Sequence, residues 1–125
     1  MRKLILAPLI IGLSLILSAC SSNNQEVKIS STDTQVMIFW GNGCPHCENV
    51  KKYTSDNKIS EKIKIDWFDV WTDQSSKKTM EDTLKKCPNI DTTKGVGVPL
   101  AYFLKDNVCL IGDQPINEKL SSMLQ

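Results

Sequence analysis

The chain has a single histidine, His46, and no second pair of closely spaced cysteines to go with Cys44 and Cys47. A structural zinc site takes four ligands, usually from two such pairs, so this class is poorly supplied. Neither sign of charge dominates: 15 basic and 14 acidic residues leave a net +1. No strong field is available for nucleic acid or an anionic lipid surface. Internal repeats are absent, and 125 residues hold one domain. Long apolar runs are also scarce. The one present, Leu4 to Leu17, is short for a transmembrane helix and follows the basic Met1-Arg2-Lys3. It reads as a secretory leader over residues 1–19. Residues 20–34 are Ser/Thr-rich and polar and are expected to be a flexible tether, in which Val27-Lys28-Ile29 offers an alternative short edge strand. The folded domain is then expected over 35–125.

The most informative stretch runs from Phe39 to Cys47 (FWGNGCPHC). An apolar run ending at Trp40 predicts a buried strand, and Gly41, Asn42 and Gly43 break it. Pro45 suits the first turn of a helix, where its missing N–H would have had no partner. Cys44 therefore belongs at the mouth of a helix and Cys47 one turn inside. Unpaired N–H groups and the positive end of the helix dipole favour a thiolate at Cys44, the expected nucleophile. Cys47, on the same face, is placed to resolve a mixed disulfide. His46, when protonated, would further stabilise the Cys44 anion. Two other uses of the pair stay open, a permanent structural disulfide and soft-metal binding. A haem attachment would need histidine after Cys47, where Glu48 stands.

Down the chain, Gln35–Trp40 is expected as the first strand and Cys44 to about Asn57 as the first helix, with Cys47, Val50 and Tyr53 or Thr54 inward. Lys62–Val70 follows as a second strand, parallel to the first, with Ile63, Ile65 and Trp67 on one side. The polar run 72–76 supplies N-caps for a second helix to about Lys86, carrying Met80, Leu84 and Cys87 on its apolar stripe. Leu100–Leu104 and Val108–Ile111 form an antiparallel hairpin around Lys105-Asp106-Asn107. A last helix covers Pro115–Leu124, with Ile116, Leu120 and Met123 or Leu124 inward. The fold class is α/β, ordered β-α-β-α-β-β-α, with a four-stranded mixed sheet flanked by helices.

Cys44-Pro45-His46-Cys47 after a strand and a Gly-containing turn resembles the active site of the thioredoxin superfamily, and in particular the DsbA-type oxidases. The compact remainder resembles a glutaredoxin or minimal thioredoxin and lacks the helical insertion of DsbA. The resemblance implies that Pro99 is cis and sits opposite the cysteine pair. It further implies that Val98 offers its backbone to a substrate chain and that Pro99 shapes the groove. Trp40 is expected beside the motif, either lining that groove or as a core aromatic. Gly112-Asp113 resembles the glutathione-holding element of glutaredoxins; the alternative reading is a strand end at Gly112 and a helix cap at Asp113. The buried acid that thioredoxins keep in the first strand is replaced by Ile38, leaving water or Glu48 as proton acceptor. Leu17-Ser18-Ala19-Cys20 resembles a bacterial lipobox, which implies cleavage before Cys20 and a lipid on it. Loss of Arg2 and Lys3 with the leader leaves 13 basic against 14 acidic residues, about −1.

A lipidated Cys20 places the domain outside the cytoplasm, where disulfides persist, and leaves an even set of cysteines. Cys87 and Cys109 are then expected to form a structural disulfide, with two separate buried thiols or a second redox pair as alternatives. The functional expectation is a membrane-anchored, monomeric thiol–disulfide oxidoreductase of the bacterial cell envelope, with no cofactor beyond the Cys44–Cys47 pair. Its partners would be protein thiols or disulfides and a membrane redox protein that resets the pair, with no nucleic acid. The competing classes are a copper-binding lipoprotein, a glutaredoxin-like reductase and a redox-inert interaction module.

Overall fold

Strand β1 (Val36–Trp40) is an unbroken apolar run because both of its faces are covered. Successive side chains point to opposite sides. Val36 and Ile38 enter one core, and Met37 and Phe39 the other. A computed structural model describes residues 33–125; the expected leader, the lipid-bearing Cys20, the tether and the strand alternative at Val27–Ile29 lie outside them. Packing already begins at Thr34, which is buried and donates its hydroxyl to Asp66 at 2.6 Å.

β1 pairs in parallel with β2 (Ile65–Asp69) and antiparallel with β3 (Leu100–Phe103), which pairs antiparallel with β4 (Val108–Ile111). The sheet order is β2-β1-β3-β4, a thioredoxin-like arrangement. Phe39 stands opposite Phe68 in this register, and their rings stack at 5.1 Å. The second strand is shorter than the expected Lys62–Val70. A 3₁₀ turn over Ile59–Glu61 precedes it, entered through Lys58 in a left-handed conformation. That turn buries Ile59 and Ile63 before the chain becomes extended.

Helices α1 (Pro45–Asp56) and α3 (Asp113–Ser122) cover one face of the sheet. They contribute Val50, Ile116 and Leu120 to its core, the residues that helical spacing predicts. Helix α2 (Gln74–Leu84) covers the other face. Its fully buried residues are Ser76, Thr79 and Thr83, with Met80 and Leu84 only partly covered. The expected stripe does face this core, with Cys87 buried in it and Met80 and Leu84 packed against it, but small hydroxylated side chains share the face. Burial of hydroxyls is tolerated when they are bonded locally. Ser76 donates to Asp73 at 2.6 Å and Thr79 to the Ser75 carbonyl at 2.9 Å. Helix α2 also ends at Leu84, short of Lys86. Helix α3 begins two residues before Pro115, at Asp113, because Gly112 supplies the N-cap with φ +95°. No described helix is long and apolar enough to cross a membrane.

Candidate active site

Cys44 is the N-cap of α1, with extended backbone angles, and Pro45 is the first helical residue. Gly43, at φ +82°, makes the turn from the strand, a conformation that other residues rarely adopt. The Cys47 N–H donates to Cys44 Sγ at 3.2 Å, one of the first-turn donors that would otherwise be unsatisfied. Cys44 and Cys47 are joined as a disulfide. Cys47 is completely buried, whereas Cys44 keeps 5% of its surface open. Only the first sulfur can be reached from outside.

Cys44 opens into a cleft of about 560 Å³, walled by Pro45, Val70, Trp71, Met80, Val96 and Val98. The Val98–Pro99 peptide is cis, as the superfamily resemblance implies, and Pro99 is buried beside the sheet. The Val98 carbonyl oxygen lies 3.7 Å from Cys44 Sγ. Four of the expected site residues (Cys44, Pro45, Val98 and Pro99) therefore meet at one place, although 54 residues separate Cys44 from Val98.

Trp40 is half-buried and does not line this cleft. Its ring is covered by the Lys51 ammonium, 2.9 Å from the centroid, and Trp71 is the aromatic wall of the cleft. Trp71 keeps 58% of its surface exposed and is one of only two large apolar side chains so exposed among the described residues. Asp69 builds the turn that presents it. Its carboxylate accepts from the Trp71 N–H at 3.0 Å and the Thr72 hydroxyl at 2.6 Å, and the Thr72 hydroxyl above all holds its pKa below the ordinary value. The indole lies over Gly41, where an added Cβ would fall among the ring atoms. Gly41 is thus needed for the close approach of a ring as well as for breaking a strand. Sequence reasoning missed Trp71, although Asp69-Val70-Trp71-Thr72 carries a turn signal next to an aromatic.

His46 is turned away from the sulfurs. Its Nδ1 is 3.1 Å from Asp113 Oδ1, and Asn49 donates to Asp113 Oδ2 at 2.6 Å. Both Asp113 oxygens are thereby engaged within the protein. The Asn49 amide chiefly, then the backbone N–H of Asp113 itself and only after that His46, hold the Asp113 carboxyl below its ordinary pKa. Gly112 serves as the N-cap of α3, so the Gly-Asp dipeptide has a role in the helix start and in joining α3 to α1.

Cys87 and Cys109 are buried and joined as a disulfide between the end of α2 and β4. Asn89 reinforces the junction by donating to the Cys109 carbonyl at 2.7 Å. The irregular segment from Cys87 to Pro99 carries Val96 and Val98 into the cleft, so the bond anchors the root of one cleft wall. No protein family, curated protein or solved structure matches the chain. The arrangement of sheet, helices and cysteine pair carries the functional reading alone.

Proposed function

We propose that the protein is a thiol–disulfide oxidoreductase that exchanges disulfides with protein thiols through Cys44 and Cys47. The observation carrying this reading is the asymmetry of the pair: Cys44 is the helix N-cap at the mouth of an apolar cleft, and Cys47 is sealed behind it. In the oxidising direction a substrate thiolate attacks Cys44 Sγ, the Cys44–Cys47 bond breaks, and Cys47 leaves as the thiolate. A second substrate thiolate then attacks the substrate sulfur of the mixed disulfide and expels Cys44. The substrate loses two electrons and two protons in forming its disulfide, and the cysteine pair gains the electrons and becomes a dithiol. The Val98 backbone, beside the reacting sulfur, would pair with the substrate as a short added strand.

The helix N-terminus stabilises the reduced thiolate, which makes the disulfide the better oxidant, so we read the direction as disulfide donation. The basic and apolar leader and the lipobox-like 17–20 support an envelope protein anchored through lipid on Cys20, facing a membrane redox partner that removes the electrons. The deciding test is the reduction potential of the Cys44–Cys47 pair by glutathione equilibration, alkylation and mass spectrometry. A value well above the glutathione range, towards about −120 mV, supports donation; a value near about −270 mV makes the protein a reductase. A pair that never equilibrates refutes redox exchange.

A further inference from the structure

We propose that Asp113, itself held by Asn49, is a positioning residue that ties the His46 imidazole to α3 and so limits how strongly the Cys44–Cys47 pair acts as an oxidant. This rests on the redox reading of the pair. His46 lies between the two cysteines, where a protonated imidazole is suited to stabilising the Cys44 thiolate. The ring instead reaches across to the first residue of α3, 67 positions away in sequence. The contact is anchored twice, because Asn49, one turn along α1 from His46, occupies the other oxygen of the same carboxylate.

A protonated His46 therefore carries its counter-ion with it, and the pair's net field at Cys44 is much weaker than that of a free imidazolium. Lys77 and Glu81 of α2 line the same cleft as Cys44, one of each sign, and both stay the same in every variant compared below. Glu48 and Lys51 on α1 pair with each other at 3.4 Å, and the Lys51 ammonium covers Trp40. Asp69, on the β2 side, is bonded to Thr72 and the Trp71 backbone. Asp113 is thus the group that decides whether the charge of His46 is available to the sulfur.

The reaction that reads this is the exchange of the Cys44–Cys47 disulfide with two glutathione thiols, which gives the dithiol and one glutathione disulfide. The full-length chain is compared with Asp113→Asn, His46→Gln and the double variant. Measured at about pH 5.5, where an ordinary imidazole is charged, Asp113→Asn is expected to shift the equilibrium about tenfold towards the dithiol, the size of one charge at side-chain range in a water-facing dielectric. That corresponds to about 30 mV for a two-electron couple. The Cys44 thiolate absorbance should then appear at lower pH. His46→Gln alone should shift the equilibrium by less than about twofold, because the ring is bonded to Asp113 and a charge on it would already be paired.

In the His46→Gln background, Asp113→Asn should add almost nothing. An unchanged equilibrium in Asp113→Asn would overturn the proposal, as would an equal shift with and without His46, which would mean that the carboxylate acts on the sulfur directly. A tenfold loss of oxidising strength in His46→Gln alone would overturn it as well and needs no Asp113 variant to fold. Failure of the unaltered protein to exchange with glutathione would refute the redox reading instead, and is a separate result.

Discussion

Gly41→Ala isolates the contact that shapes the cleft. Gly41 is not in a left-handed conformation, so alanine meets no backbone strain there; its Cβ meets the Trp71 indole. Overpacking a filled site costs about 1–3 kcal/mol. The indole is 58% exposed, so it can swing outward, and the cost belongs at the low end, about 1 kcal/mol. The ring's present burial withholds about 100 Å² from water, worth about 2 kcal/mol as an upper estimate. Displacement must therefore forfeit part of that contact along with one wall of the cleft. We expect a lower urea midpoint, altered tryptophan emission and a higher KM for a protein substrate, with the reduction potential of the cysteine pair unchanged. Trp71→Ala should abolish the effect, so that Gly41→Ala in that background changes stability by less than about 0.5 kcal/mol. A loss above about 3 kcal/mol that persists without the indole would refute the steric account and make the Gly41 backbone itself the cause.

Replacing Cys87 and Cys109 by alanine should remove about 3 kcal/mol of stability, the chain-entropy value for a cross-link across 22 residues, measured as a fall in urea midpoint. Cys47→Ala should accumulate mixed disulfides on Cys44 that survive non-reducing electrophoresis, while Cys44→Ala should form none, because Cys47 is sealed. Asp73 caps α2, and the hydroxyl of Ser76 first, then that of Ser75, lowers its carboxyl from 3.8 to about 2. Its contribution is therefore complete above about pH 4 and is lost as pH falls towards about 2. Asp73→Asn keeps an acceptor for the helix N-terminus, so stability at neutral pH should change little and the acid limb of the stability profile should become shallower between those values.

The order of elements was legible because each long segment carries one period. Val36–Trp40 is apolar throughout, as a strand covered on both faces must be, and α1 and α3 show clean helical spacing. The position of Cys44 at a helix mouth followed from Gly43 and Pro45, both local signals. Less legible were features set by partners distant in the chain. Ser76, Thr79 and Thr83 are polar by composition but buried; the Ser76 and Thr79 hydroxyls bond within or next to their own helix, and the small size of all three lets α2 approach the sheet. Trp71 becomes a cleft wall only when it meets Gly41, and His46 faces Asp113 only because α1 packs beside α3. The Val98–Pro99 element was placed through resemblance to the superfamily, since spacing alone would have left Pro99 an ordinary strand start.

The connectivity of the two disulfides has a consequence for how the chain is made. Among the four cysteines of the described residues three complete pairings are possible, and each joins its nearest neighbour among them: Cys44 with Cys47, then Cys87 with Cys109. A polypeptide oxidised from its N-terminus as it emerges would close the first pair before Cys87 appears. Of the cysteines in the described residues, Cys87 would then find Cys109 as the remaining free thiol. Oxidation in that order would favour the observed pairing by order of arrival. Because Cys109 is in β4, that second bond ties the wall of the cleft to the last strand of the sheet.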